Sequence, residues 1–175
     1  MNKKAISTLV IVAIIVIAVV IAGIAVYVLY SGGGEETPTP NPVEGATSMR
    51  FDVNATVDGE LQINRVTTKN LGTSDVLLRV DQTDAQGNDF IYLMNQTGSE
   101  AWANFAGEWT DVSSDFATYW DNPLIGKAGL DSYMTALANW SGTGDYEYTS
   151  NGDSFVIYNI VVDPTLEDSV FQPPS

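Results

Sequence analysis

Six aromatic side chains in the second half of the chain are the residues most suited to bind a ligand. Large aromatic rings line apolar pockets that hold acyl or isoprenoid chains. A core of this size also needs such rings to fill the space between helices and sheet, and Tyr and Trp suit surfaces that contact other proteins. The candidate ligand-binding residues are Trp102, Phe105, Trp109, Tyr119, Trp120 and Trp140.

The chain contains no histidine and no cysteine. Imidazole bases, Ser-His-Asp triads, thiolate nucleophiles and zinc-thiolate sites are therefore excluded. Four polar residues, Asp81, Asp84, Asn88 and Asp89, surround one predicted turn, but their spacing lacks the EF-hand pattern, and a polar turn needs such residues for backbone reasons. We predict no enzymatic activity, no cofactor and no bound metal.

Three segments match the acceptor pattern for N-glycosylation: Asn54-Ala55-Thr56, Asn95-Gln96-Thr97 and Asn139-Trp140-Ser141. Asn54 alternates with apolar residues in a predicted strand, so we expect its side chain to face solvent. Surface glycans would suit a protein of the cell envelope.

No charged residue occurs in residues 5–30, and Lys3 and Lys4 precede them. A helix of this length reaches about 39 Å, enough to cross a bilayer core of roughly 30 Å. A cleaved secretory signal, with its apolar region of about 7 to 15 residues, is too short to explain the segment. We predict a cytoplasmic end at residues 1–4, a transmembrane helix at 5–30 and an extracellular domain at 46–175.

Residues 31–45 form a linker rich in Gly, Pro and Glu, which we expect to be an extended spacer. Beyond Tyr30 the chain has five basic residues and all twenty-two acidic residues, a net charge of −17. This charge excludes electrostatic binding of nucleic acid. It also disfavours attraction to anionic lipid headgroups, so the domain should stand away from the membrane.

The N-terminal junction Lys3-Lys4-Ala5-Ile6 resembles the class III signal of archaeal type IV pilins. The resemblance implies processing between Ala5 and Ile6, followed by assembly of the apolar helices into a filament. Val10 occupies the position where many pilins carry an acidic residue.

The segment after the linker reads as a series of antiparallel strands. Apolar residues from Met49 to Val57 alternate with polar ones, Asp58-Gly59 predicts a tight hairpin, and Leu61 and Ile63 continue the alternation. Further turns are predicted near residues 70–72, 84–88, 98–99 and 107.

Two short helices should interrupt these strands. Phe116, Tyr119 and Trp120 have helical spacing after N-cap candidates at residues 113–115, and a second apolar stripe runs from Leu130 to Ala138. A final hairpin at Asn151-Gly152 precedes an apolar run over 155–162. We predict an α+β fold: a curved antiparallel sheet, in the form of an incomplete barrel, with the two helices covering one face and a transmembrane helix before it.

The order of elements resembles the LolA/LppX-like lipoprotein carriers, which combine an incomplete barrel with covering helices. This resemblance implies binding of a lipid or another apolar molecule in the concave face. Its members are usually larger than this chain, and bacterial members carry a lipobox cysteine or a cleaved signal. The segments that carry it are 51–57, 76–80, Ile91-Tyr92-Leu93-Met94, Ala101-Trp102, Glu108-Trp109, Asp163-Pro164 and Phe171-Gln172-Pro173.

Two functional hypotheses follow. The first is a single-pass membrane protein whose extracellular domain binds an apolar ligand or other envelope proteins, without catalysis. The second is a pilin-like subunit that assembles with copies of itself through its N-terminal helix.

Overall fold

A computed structural model describes residues 41–150 and 152–174 of the chain. They contain one sheet of eight strands in which all neighbouring strands are antiparallel. The strands are β1 (Ser48–Val57), β2 (Glu60–Lys69), β3 (Leu77–Thr83), β4 (Asp89–Asn95), β5 (Glu100–Phe105), β6 (Glu108–Asp111), β7 (Tyr146–Ser150) and β8 (Asp153–Val162). Two α-helices, α1 (Phe116–Trp120) and α2 (Lys127–Leu137), lie between β6 and β7. Short 3-10 helices occupy Ser113–Asp115 and Asp168–Phe171.

The strand order across the sheet is β6-β5-β4-β3-β2-β1-β8-β7. Strands β1 to β6 form a meander, and the β7-β8 hairpin adds to the free edge of β1. The two end strands, β6 and β7, do not pair with each other, so the sheet is open and does not close into a barrel. The predicted antiparallel sheet and the two short helices are confirmed.

The register of the sheet begins at the first hairpin. Asp58 and Gly59 both have positive φ, at 53° and 82°, as a two-residue turn of the hairpin type requires. Val57 therefore pairs with Glu60, and Phe51 lies opposite Val66. Because side chains alternate along each strand, this pairing decides which residues of β2 share a face with Phe51.

The helices pack against one face of the sheet, which we call the inner face; it carries Phe51, Val66 and Val80 in register. Tyr133 of α2 meets Phe51 edge-on at a centroid distance of 5.9 Å. Leu130, Tyr133 and Leu137 lie one or two helical turns apart, and all three are buried, as the predicted stripe requires.

Helix α2 begins where the chain passes very close to itself. A Cβ atom on Gly129 would lie 2.5 Å from the carbonyl oxygen of Pro123, so only glycine fits there. The turn before the helix is fixed by Asn122, whose Oδ1 accepts hydrogen bonds from the backbone N–H groups of Leu124 and Ile125.

The opposite face, which we call the outer face, carries Asp52, Arg65 and Asp81 in register. Leu61 and Ile63 also lie on this face and are exposed, so the alternation in β2 continues with these apolar side chains turned away from the helices. The inner positions of β2 include Asn64 and Thr68, which are fully buried. Thr68 Oγ1 donates a hydrogen bond to the carbonyl of Leu77, but the amide of Asn64 makes none within the described residues.

Some predicted features fall outside the described residues. The predicted transmembrane helix at 5–30, the linker up to residue 40 and Asn151 of the last turn belong to this group. Over 41–150 and 152–174, no helix has the length and apolar character needed to span a bilayer.

Candidate functional site

The basic residues of the domain are concentrated on the outer face around Thr67. Arg50 lies opposite Thr67 in β1, and Arg79 lies opposite it in β3. Arg65 and Lys69 flank Thr67 two residues away on β2, and therefore project from the same face. Four of the five cations beyond residue 30 thus surround one buried threonine, in a domain that is otherwise strongly acidic.

Two of these cations form ion pairs along the sheet. Arg65 Nε donates to Asp52 Oδ1 at 2.8 Å, and Asn159 Nδ2 donates to Asp52 Oδ2 at 2.8 Å. The Asp52 side chain is only 8% exposed, whereas that of Arg65 is 60% exposed. The hydrogen bond with Asp52 and its charge raise the pKa of Arg65. Arg79 pairs with Asp81 at 2.6 Å, so both buried or half-buried carboxylates on this face are neutralised.

The C-terminal strap, which we define as residues 165–173, contacts the outer face. Lys69 Nζ donates to the Leu166 carbonyl at 3.0 Å and to Asp168 Oδ1 at 2.6 Å. Arg79 Nη1 donates to the Val170 carbonyl at 3.2 Å. The 3-10 turn of the strap thereby contacts β3 and β4.

Before the strap, the chain is fixed to β1 by Asp163. Its Oδ1 accepts hydrogen bonds from the backbone N–H and hydroxyl of Thr47 and from the N–H of Ser48. These bonds from Thr47 and Ser48 lower the pKa of Asp163. Ser48 Oγ then donates to the Pro164 carbonyl at 2.9 Å, which is the last of these anchoring contacts.

An open hollow of about 450 Å³ lies between the strap and strands β3 to β5. Its walls include the apolar side chains of Leu77, Leu93, Trp102 and Phe171. The carboxylates of Glu100 and Asp168 also line it. Leu93 and Phe171 are both buried, yet they lie outside the core between helices and inner face. The hollow is within the 300–1,000 Å³ typical of small-molecule sites.

A second hollow of about 370 Å³ lies on the uncovered part of the outer face. The Asp52 and Arg65 pair forms part of it, together with Ile63, Ile91 and Tyr158. It combines apolar side chains with the ion-paired carboxylates of Asp52 and Asp81 and with the carboxylate of Asp89, which accepts a hydrogen bond from the Thr83 hydroxyl.

The six candidate aromatic residues are not brought into one pocket. Trp102 lines the first hollow, and Trp109 projects from the same outer face two strand positions away without lining it. Phe105 projects from the inner face at the sheet end, is 55% exposed and stacks on Phe90 at 5.0 Å.

The other three candidates belong to the helical layer. Tyr119 packs near Tyr92 at a centroid distance of 6.0 Å, and Trp120 stacks on Phe116 at 5.2 Å. Trp140 is buried, and its Nε1 donates to the carbonyls of Thr143 and Gly144. Burial raises the pKa of Tyr92 and of Tyr119.

The three glycosylation candidates have different surroundings. Asn54 is half-buried in the middle of β1 and accepts a hydrogen bond from the Tyr158 hydroxyl at 3.2 Å. Asn95 lies at the end of β4, where its Oδ1 caps the N–H of Thr97. Asn139 is exposed just after α2. Asn139 is therefore the most accessible acceptor of the three, and both Asn54 and Asn95 are partly buried.

The acidic turn between β3 and β4 uses its side chains to hold the backbone. Asp84 Oδ1 accepts from the N–H groups of Gln86 and Asn88, at 2.9 and 2.8 Å. Desolvation opposes ionisation of Asp84, but the hydrogen bonds from Asn88, Gln86 and Gly87 outweigh it and lower its pKa. Across the described ranges there is no group of three or more acidic side chains that could hold a metal ion.

Sequence reasoning missed the cationic cluster and the strap. The signal for the cluster was present, because Arg65, Thr67 and Lys69 have the period of two that places them on one face, and the Asp58-Gly59 turn fixes which residues of β1 lie beside them. The sequence holds no comparable signal for the path of residues 165–173 across β3 and β4.

Comparisons with protein-family models, curated proteins and solved structures gave no match to this chain.

Proposed function

We propose that this protein is a membrane-tethered extracellular domain that binds an apolar ligand and performs no catalysis. The observation that carries the proposal is the first hollow, an open volume of about 450 Å³ whose apolar walls are Leu77, Leu93 and Trp102 and whose polar walls include Glu100 and Asp168. The inner face is filled by its own side chains, because Phe51, Val53 and Ile157 are completely buried there. The ligand site that fits these surroundings is therefore on the outer face, at the end of the strap.

The location rests on the sequence. The uncharged residues 5–30, with Lys3 and Lys4 before them, are the predicted membrane span, and the acidic domain follows on the far side. In this proposal the open antiparallel sheet is curved like an incomplete barrel, as in the LolA/LppX-like carriers. The ligand differs in position, because it lies on the outer face and not in the concave face beneath the helices that the resemblance implies. A protease added to intact cells should then cleave the domain, and full protection would contradict the proposed location.

Ligand binding can be tested by fluorescence. A brominated fatty acid quenches a tryptophan that it contacts, so titration of the full-length protein should quench part of its emission. Replacement of Trp102 by Phe should remove the quenched fraction, whereas Trp109→Phe, on the same face but outside the hollow, should retain it. Equal quenching in both variants, or none in the unaltered protein, would contradict the proposal.

The second candidate function is a pilin-like filament subunit. It is favoured by the Lys3-Lys4-Ala5-Ile6 junction and by the apolar helix that would pack in a filament core. N-terminal sequencing of the mature protein separates the two candidates. A chain that begins at Ile6 supports the filament, and an intact N-terminus supports the tethered binding domain.

A further inference from the structure

The C-terminal strap is held to the sheet by side chains alone. Its contacts with the strands include those of Lys69 and Arg79 and those of Phe171, which is buried and forms a wall of the first hollow. Its backbone hydrogen bonds, from Val170 to Glu167 and from Gln172 to Ser169, stay within the strap. Within the described residues, no backbone hydrogen bond connects the strap to a strand.

The groove beneath the strap recognises a specific chemical pattern. Lys69 binds a carboxylate, and Arg79 binds a backbone carbonyl close to it. Phe171 adds an aromatic wall to the hollow three residues after the carboxylate, because Asp168 and Phe171 are the two ends of one 3-10 turn. The contacts between sheet and strap therefore involve an acidic residue and an aromatic residue at this spacing.

We propose that this groove also accepts the strap of a second copy of the chain, so that two copies exchange residues 165–173. A second copy has the same strap sequence, so its strap can make the same contacts with the groove. The release point follows Pro164, since Asp163 and the Pro164 carbonyl remain bonded to Thr47 and Ser48. Once released, residues 165–173 reach about 30 Å when extended, which is enough to cross to a neighbouring domain.

Local concentration decides between the two arrangements. A strap on its own chain competes at an effective concentration in the millimolar range, so dilute protein keeps its own strap. Copies that share one membrane, as in the proposed function, meet at a higher local concentration than copies in dilute solution, which favours exchange. Phe171 of the strap is a wall of the hollow proposed for the ligand, so the exchange is tested without added ligand.

A charge exchange between two variants tests the proposal. One full-length variant carries Lys69→Glu and the other Asp168→Lys, so each repels its own strap, but each groove attracts the strap of the other variant. After mixing in detergent micelles, native mass spectrometry should detect a mixed dimer, enriched about tenfold over dimers of either variant alone.

Two controls keep the test specific. The Lys127→Glu and Asp131→Lys variants exchange charge across an exposed pair on α2, away from the strap, and should give no mixed dimer. A chain that carries both Lys69→Glu and Asp168→Lys restores its own pair and should be monomeric. Circular dichroism identifies variants that keep the sheet. A folded pair that stays monomeric after mixing, or an equal dimer from the α2 pair, would overturn the proposal.

Discussion

The two faces of the sheet are built in different ways. The inner face is covered by helices, and its side chains from Met49 to Ile157 form a continuous apolar core. The outer face has a short strap, paired charges and exposed apolar residues such as Ile63. The inner face therefore supplies most of the buried apolar contacts, whereas the outer face depends on fewer and more exposed contacts.

A matched pair of phenylalanines gives the largest expected difference between the faces. Phe51 on the inner face is 0% exposed and Phe171 on the strap is 7% exposed. Phe51→Ala should lower the free energy of unfolding by about 3–5 kcal/mol, because the packed core cannot refill the cavity. Phe171→Ala should lower the free energy of unfolding by no more than about 1.5–3 kcal/mol, because Phe171 lies outside the core and its loss leaves the core packing intact. Urea unfolding measures both, and equal losses would contradict the comparison.

Polar residues on the inner face of β2 allow a second test. The side chain of Asn64 is buried near the Tyr133 hydroxyl, but its amide makes no hydrogen bond of good geometry within the part of the chain that the structure describes. Asn64→Leu should therefore raise the free energy of unfolding by about 1–3 kcal/mol.

Thr68 is the control for that substitution. It is equally buried but bonded to the Leu77 carbonyl, so Thr68→Val should lower the free energy of unfolding by about 1 kcal/mol. Thermal or urea unfolding should place the two variants on opposite sides of the unaltered protein. A destabilised Asn64→Leu variant would show that the amide is satisfied in solution.

On the outer face, the pair between Lys69 and Asp168 should matter less. The Asp168 carboxylate is 73% exposed. Lys69→Met should therefore lower the free energy of unfolding by at most about 1 kcal/mol at low ionic strength. In about 1 M salt the difference in the free energy of unfolding between this variant and the unaltered protein should nearly vanish, because the Debye length is then only roughly 3 Å. Unfolding curves at both ionic strengths check this, and a loss that does not change with salt would point to packing of the lysine stem.

The smallest effect is the pH dependence of the anchor at Asp163. The pKa of Asp163 in the folded protein is below the ordinary value of 3.8. The contribution of Asp163 to the free energy of unfolding is therefore complete above that value, and it is lost as the pH falls through the lowered pKa. The melting temperature of the Asp163→Asn variant should therefore differ from that of the unaltered protein near neutral pH. In strong acid the two melting temperatures should converge. Melting temperatures between about pH 2 and pH 6 measure the convergence, and a constant difference would assign the effect to geometry instead of charge.

The sequence was sufficient for the local structure of the domain. The alternation along β1, the Asp58-Gly59 turn and the stripe of α2 predicted a strand, a hairpin and a helix, and the structure has all three. These signals are local, because periodicity and turn chemistry act within a few residues. The predicted membrane span and linker stay predictions.

Which residues meet across the sheet was harder to predict. Trp102 and Phe105 are three positions apart in β5, and an odd separation in a strand places two side chains on opposite faces of the sheet. The alternation of the strand therefore shows that these two candidate residues cannot line one pocket on one face. The face occupied by Leu61 and Ile63 depended on Asn64 and Thr68 taking core positions, against the usual preference for apolar residues. The strap depends on contacts between residues about a hundred positions apart, which no local pattern encodes.

The position of β1 between β2 and β8 has a consequence for how the domain forms. Strands β1 to β6 can add one hairpin at a time as the chain emerges, but the other edge of β1 has no partner until β8 arrives, near the end of synthesis. Exposed strand edges template pairing with other chains. We expect the interval before β8 docks to be the period when the nascent protein is most prone to aggregate, and loss of the β7-β8 hairpin to prolong it.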